Sequence, residues 1–531
     1  MKNGALVLAL VLSGVIGCSK SSFDKKIGTS KTLISFTEFS QSEGQSKISS
    51  TDTCDSECQK KRQEFRYVVY VGKQIYCYWD LKQADTGTDF TLLASSLEQS
   101  ISTGISTSKY YRTLRRWASA FHDGHVNVFT GADTTALEIY TAPVRLEVLA
   151  PATDHEKIII SQTDPIAVNS GVAVGDQVLS VNGVETSVAL TLASNESSSG
   201  SSERMRRFWA ARRLVDVMGV DAGSVPLTLS VKSVSDGTIK NVVLVRNIQI
   251  DSKPGSAIAG PDTGIDNFSA KILPGGWGYF RLDAFSGSDD DRLISSTMDR
   301  LAGTNGLILD LRHNGGGDLS GDRIIERLIT NAVVRYKRSE RLSDFILSQR
   351  PSDNFALAPD ASGQFAQWHD LMVSPLKDRK YNKPVVALIS SYCFSACDTF
   401  SASLRDNHLA TFIGESTGGG TGTPLVFELP VTKFSFRYSV IRGQSPNALS
   451  IEGVGTNPDI ALEPALDDRV KPHDSQLARA IETLQKLTGQ APSGLAPAFV
   501  TPTWNQRLDV SPTVEEMSEL WRIMRADSSG G

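Results

Sequence analysis

The chain has 531 residues, 40% hydrophobic and 21% charged, with a formal net charge of −5. That length and apolar content suffice for about two to four packed domains, and the slight acidic excess argues against nucleic acid as a partner, because no dense basic surface is on offer. Five cysteines follow Cys18, with Cys54, Cys58 and Cys77 in one group and Cys393 and Cys397 in another. Neither group has a histidine at zinc-finger spacing, so no metal is expected. An oxidising compartment would permit disulfides, whose connectivity spacing alone does not give. Cys393 and Cys397 read equally well as a bridge or as two small buried apolar residues.

At the amino terminus Lys2 supplies a positive start, residues 5–11 a short apolar stretch, and Val15-Ile16-Gly17-Cys18 a small-residue site ending in cysteine. The segment resembles a bacterial lipoprotein signal peptide. That resemblance implies cleavage before Cys18, lipidation of Cys18 and a mature chain tethered to a membrane of the cell envelope. Residues 19–53 are rich in Ser, Thr, Lys and Gly and read as a solvated tether.

From 54 to 135 apolar residues recur at helical spacing, through Phe65, Val68 and Val69, then Leu92, Leu93 and Leu97, then Tyr110, Leu114 and Trp117. A small amino-terminal helical domain is predicted, ending in Phe121-His122-Asp123-Gly124-His125, where Asp-Gly makes a tight turn. Taken alone, His125 would be a surface or packing residue. Between 140 and 248 the pattern changes to short strands, such as 157–160 and 242–245, with a hairpin signal at Asp236-Gly237. Residues 194–202, rich in serine, read as a flexible insertion there.

From 265 to 488 strands and helices alternate: strands at 278–282, 306–311, 384–389 and 410–414, helices at 291–301 and 399–407. Buried strands separated by helices imply a parallel α/β core, whose sites lie at the carboxyl ends of its strands. One such end carries Asp310-Leu311-Arg312-His313-Asn314-Gly315-Gly316-Gly317. Its glycines allow backbone N–H groups to approach a ligand, as an oxyanion hole requires; a plain connection or a phosphate loop would look similar, but the Gly-Lys-Ser/Thr ending of a P-loop is missing. Asp310 and Arg312 read as an ion pair that holds this loop. At another strand end Ser395 falls on a strand-to-helix turn, where it is either a helix cap or a nucleophile beside the free N–H groups of the helix start. Residues 343–383 show little periodicity and read as an excursion over the site, a candidate lid. Residues 489–531 read as a linker and a short carboxy-terminal helix at 514–524.

Two resemblances join these pieces. Residues 167–183, with Gly175-Asp176 and Asn182-Gly183 as turns, are similar to the characteristic stretch of PDZ domains in the permuted order of bacterial proteases, which implies a peptide-docking module. Asp123-Gly124-His125, the glycine loop, Ser395-Ala396-Cys397-Asp398 and Gly414-Glu415-Ser416-Thr417-Gly418-Gly419-Gly420 follow the order seen in the carboxy-terminal (tail-specific) processing proteases and the tricorn protease core. The resemblance implies an α/β, crotonase/ClpP-like core with an inserted PDZ-like β-domain and a small helical domain, and a serine peptidase without a cofactor acting on peptides or unfolded proteins.

The tail-specific proteases carry a lysine base in the loop that corresponds to 414–421, but Gly420 stands at its position and no lysine lies between Ser395 and Thr432. The tricorn-like branch uses histidine, where this chain has His125, and a glutamate in the stretch matched by Glu452-Gly453-Val454-Gly455-Thr456-Asn457-Pro458-Asp459. It also uses a serine just before the histidine, a place taken here by Gly124. The resemblance therefore implies Ser395 as nucleophile, His125 as base, Glu452 as an orienting carboxylate, and an oxyanion hole from the N–H of Ala396 with that of Gly316 or Gly317. The same scaffold also serves as a ligand carrier in retinoid-binding proteins of the eye, so a non-catalytic binding protein is the alternative.

Overall fold

The computed structural model describes residues 36–43, 54–129, 139–197, 200–218, 225–250, 268–285, 288–343, 358–377, 380–471 and 473–490. Cys18, the signal segment and the expected carboxy-terminal helix lie outside the described residues. Within the expected tether, Phe36–Glu43 forms a helix. It is anchored by Phe36 and Phe39, each with its ring 5.6 Å from that of Tyr67.

Four helices follow, Ser56–Ile75, Trp79–Thr86, Phe90–Ser100 and Thr107–Ser119. Three begin on side-chain caps: Asp55, Asp89 and Ser106 each accept a backbone N–H of the first turn. Their apolar faces meet in an aromatic cluster, with Phe121 stacked on Phe90 at 4.4 Å and edge-on to Trp117 at 5.0 Å. This core is not made by the helices alone. The antiparallel pair Pro424–Glu428 and Ser435–Ser439 inserts Phe427, Phe436 and Tyr438 into it. Tyr438 Oη accepts from Trp117 Nε1 at 2.7 Å and donates to the Val68 carbonyl at 3.1 Å. The close approach needs Gly72, where a Cβ would lie 2.7 Å from the Tyr438 ring. Strand Asn127–Phe129, just after His125, pairs antiparallel with Ser435–Ser439, which ties the amino-terminal helices to the carboxy-terminal third of the chain.

The middle unit is an antiparallel sheet in the order Val144–Leu149, Lys157–Thr163, Gln177–Val181, Pro226–Lys232, Ile239–Val245. Its turns sit where glycine can take positive φ, at Gly175 (93°) and Gly183 (83°). Helices Thr186–Ser197 and Glu203–Arg213 pack against it. The serine-rich stretch expected as a flexible insertion is thus helical as far as Ser197, because Ala189, Leu190 and Ala193 give that helix a buried face.

The third unit holds six strands in the order Phe268–Leu273, Trp277–Leu282, Gly306–Asp310, Val385–Ile389, Thr411–Gly414, Ile460–Ala461, parallel except for the first pair. Strict alternation explains the continuous apolar runs. Leu307, Leu309, Val385, Ala387 and Ile389 face one helical layer with Phe400 and Leu404. Ile308, Val386 and Leu388 face helix Ser475–Thr488 through Leu477, Ile481 and Leu484. The stretch read as an excursion contains a strand, His369–Val373, paired antiparallel with Val333–Glu340; its alternation was too short to stand out.

Candidate active site

Ser395 lies between the buried strand Val385–Ile389 and helix Ala396–Asp406, with φ 61° and ψ −118°. Such a conformation costs a non-glycine residue about 1–3 kcal/mol, so the surroundings must impose it. Two devices do. A Cys393–Cys397 disulfide brackets the serine, and the buried Asp398 carboxylate accepts the Ser395 N–H at 3.1 Å, the Gly420 N–H at 2.8 Å and the Gly419 N–H at 2.9 Å. Burial pushes the Asp398 carboxyl up to about 7, opposed by the Thr417 hydroxyl and the two glycine N–H groups. From the sequence Asp398 had only a helix-start role; in the fold it staples the loop after Gly414 to the nucleophile turn.

His125 Nε2 is 2.9 Å from Ser395 Oγ across 270 residues of chain. Its ring is 4.6 Å from that of Phe394. The turn that presents it is held by Asp123, which has no exposed surface. Asp123 Oδ1 accepts the His125 N–H at 2.8 Å, while Oδ2 accepts from Ser439 Oγ at 2.8 Å and Tyr76 Oη at 3.1 Å. The Gly124 N–H donates to Ser201 Oγ at 3.1 Å, and the Gly124 carbonyl accepts from Arg437 at 3.1 Å. Asp123 Oδ1 also stands 3.9 Å from His125 Nδ1, an electrostatic rather than a hydrogen-bonding distance. Burial pushes the imidazole down to about 3; Asp123 opposes the shift and Arg437 adds to it. The ring is therefore neutral near pH 7, and the tautomer carrying its proton on Nδ1, toward Asp123, leaves Nε2 free to accept from the serine.

Glu452 is placed elsewhere. Its Oε1 is paired with Lys82 Nζ at 2.8 Å and its Oε2 accepts the Thr421 N–H at 3.1 Å. Among the described residues no hydrogen bond or ion pair joins it to His125, so the carboxylate beside the imidazole is that of Asp123. Burial pushes Glu452 up to about 7, with Lys82 opposing and Asp123 reinforcing. Lys82 Nζ also donates to the His122 carbonyl at 2.8 Å, which links the glutamate to the turn that carries His125.

At the glycine loop a Cβ on Gly316 would lie 2.7 Å from Ser395 Cβ and 3.0 Å from the Ala396 nitrogen, so only glycine lets the loop come this near. The Gly316 N–H is already given to Asn314 Oδ1 at 2.9 Å. Around Gly317 the hydrogen bonds run from Phe285 N–H to the Gly316 carbonyl and from Asp318 N–H to the Phe285 carbonyl, both at 2.9 Å. Those bonds leave the Gly317 N–H unclaimed among the described residues. The Ala396 N–H opens its helix, one of the donors that a helix start leaves without an intrahelical acceptor. Arg312 holds the base of the loop, paired with Asp310 at 2.6 Å and Asp474 at 2.8 Å.

Residues 276–462 match the profile of peptidase family S41. The chain is 24% identical over 342 residues to the carboxyl-terminal-processing protease of Synechocystis sp., an alignment that covers 63% of this chain and 66% of that one. It is 26% identical over 213 residues to the carboxy-terminal-processing protease of Bartonella bacilliformis, covering 39% and 44%. Residues 276–462, which include the glycine loop and Ser395, are thus similar to peptidase family S41. The crystal structure of mature CPAF shares its fold, with a TM-score of 0.63, 18% identity and coverage of 82% of this chain and 97% of that one.

In this chain the place where tail-specific proteases carry a lysine is physically filled. A Cβ on Gly420 would lie 1.9 Å from the Phe394 ring, and one on Gly124 would lie 2.6 Å from it. Phe394 thus excludes a side chain at both positions where the resemblance leads one to look for a catalytic group. The residues that sequence reasoning passed over, Tyr76, Lys82, Ser201 and Ser439, come from four separate segments. None stands in a motif that could have marked it.

Proposed function

We propose that the chain is a serine peptidase of the bacterial cell envelope in which Ser395 attacks the scissile carbonyl and His125 takes its proton. The observation that carries this reading is the 2.9 Å contact between His125 Nε2 and Ser395 Oγ, the reach a general base needs. As the C–O bond forms, the serine proton passes to Nε2 and later to the leaving amine, while Asp123 at 3.9 Å favours the transient imidazolium. The tetrahedral oxyanion binds the N–H groups of Ala396 and Gly317, each worth about 3 kcal/mol in comparable sites. In this reading Glu452 and Lys82 form a buried pair that braces the His122–His125 turn and the loop at Thr421. The antiparallel sheet unit would dock the substrate as a PDZ-like module.

The deciding experiment is labelling with a fluorophosphonate. Wild-type protein should react, Ser395→Ala should not, and His125→Ala should react far more slowly. Labelling that persists in Ser395→Ala removes the serine from its role, and a wild type that does not label leaves the ligand-carrier reading. The envelope assignment rests on the signal-like residues 1–18 and is supported by the Cys54–Cys58 and Cys393–Cys397 disulfides, which suit an oxidising compartment. Metabolic labelling with palmitate, lost on Cys18→Ala, tests the anchor.

A further inference from the structure

Phe394 has no exposed surface, and backbone from two distant segments closes around its ring. A Cβ on Gly124 would lie 2.6 Å from that ring, one on Gly418 3.0 Å and one on Gly420 1.9 Å, so only glycines let these segments come so near. Met205, Trp209 and Tyr392 join Phe394 in one apolar cluster. Its own backbone is pinned as well: the Phe394 N–H donates to the Asn314 carbonyl at 3.1 Å, and the Phe394 carbonyl accepts from the Cys397 N–H at 3.1 Å. A ring confined in this way keeps one orientation.

That orientation is presented to the histidine. The centroids of the His125 and Phe394 rings are 4.6 Å apart, and their planes are inclined by 30°. Two rings lying side by side in one plane could not approach so closely, so the imidazole rests against a face of Phe394. An aromatic face is the negative side of the ring and attracts a cation within about 6 Å of its centre. Other support for a positive charge on His125 is thin. Its Nδ1 is buried without a hydrogen-bond partner among the described residues, Asp123 Oδ1 stands 3.9 Å away, and Glu452 is paired with Lys82. Arg437 opposes the charge.

We propose that Phe394 is a positioning residue for His125, whose ring face stabilises the imidazolium formed when the serine proton is transferred. This role rests on the Ser–His reading of the site and goes beyond it by naming what steadies the charge. The ring itself is unchanged in the reaction: the proton leaves Ser395 Oγ for His125 Nε2 as the new bond to the serine oxygen forms, and passes on to the leaving group. Against the neutral imidazole the ring gives packing alone, and the attraction appears with the charge. An interaction made only as the charge develops speeds the chemical step and leaves binding as it was.

Fluorine is little larger than hydrogen and draws electron density from a ring face, so fluorination separates this role from packing. Mono-, di- and trifluorinated phenylalanines are placed at Phe394 of the full chain by codon suppression. Their reaction with a fluorophosphonate is followed beside wild type, Phe394→Met and His125→Ala. The limiting labelling rate should fall step by step with fluorine number, by about three- to thirtyfold at the trifluorinated ring, while the half-saturating probe concentration stays within twofold. Phe394→Met, which fills the space without an aromatic face, should fall by a similar factor. A flat rate across the fluorinated series, or a change in half-saturation alone, overturns the proposal. If circular dichroism shows that a fluorinated chain does not fold, Phe394→Met decides, and a wild-type rate there overturns it. His125→Ala keeps the two levels apart: if it labels as fast as wild type, the Ser–His reading falls and this role with it, whereas a slow His125→Ala with a flat fluorinated series removes only the role of Phe394.

Discussion

The two halves of the Ser–His pair are held in opposite ways. Ser395 is fixed almost entirely from nearby in sequence: the disulfide joins its neighbours on either side, Asp398 caps its N–H, and the strand and helix around it are continuous with it. His125 is fixed from afar, through Tyr76, Ser201, Arg437 and Ser439. A locally held group keeps its geometry as long as its own turn is folded, whereas one held by distant segments depends on the packing of every unit that supplies a contact. Damage to the first half should therefore be felt within its own turn, in kcat and local stability, and damage to the second in kcat and in the packing between segments.

The largest effect is expected from the pair itself. His125→Ala should lower kcat/KM by about 10⁴-fold or more while leaving peptide affinity in place; activity within tenfold of wild type would mean that another group is the base. Asp123→Asn keeps the shape but weakens the acceptor at three contacts, and a fall of about 10²–10⁴-fold in kcat is expected by analogy with other orienting carboxylates. Thermal denaturation should place it below wild type as well, because the lost contacts span two units. The double variant Cys393→Ala/Cys397→Ala sharpens the contrast. Loss of so short a loop closure costs about 2 kcal/mol in the chain-entropy picture, and kcat should drop with KM unchanged; a change in KM alone would show that the bridge does not position the serine. Ser439→Ala should cost about 1 kcal/mol and a few-fold in kcat, measured by denaturant titration beside steady-state kinetics.

A further effect is one of pH. The His125 imidazole is held at about 3 in the folded chain, against about 6.5 when unfolded. Its contribution to stability is whole above pH 6.5 and is lost as the pH falls toward 3, because the unfolded chain takes up the proton first. In His125→Asn that part of the acid destabilisation should vanish, so the difference in Tm between pH 7 and pH 4.5 should shrink.

The same contrast explains what could be read from the residues. The run at 384–389, the turn at Ser395 and the glycines at 315–317 carry their meaning locally, through two-sided burial and close approach of backbone, and the fold places them as expected. The partners of Asp123 could not be found that way, since Ser439 is an ordinary strand serine and Tyr76 an ordinary aromatic until packing brings both to one carboxylate. Helix Thr186–Ser197 was hidden by its Ser-Asn-Glu-Ser ending, where poor helix formers are overruled by the burial of Ala189, Leu190 and Ala193. Nothing in the helical periodicity of 54–119 announced that a hairpin from 424–439 would complete its core.

That hairpin also sets when Ser395 and His125 can meet. Synthesis runs from the amino terminus, so His125 is made early, Ser395 much later, and the strand Ser435–Ser439 that aligns the histidine later still. A growing chain, or one cut before residue 439, holds Ser395 and His125 without the frame that brings them together. On the proposed Ser–His reading, the order of synthesis would act as a safety catch, keeping the serine idle until the strand Ser435–Ser439 is made.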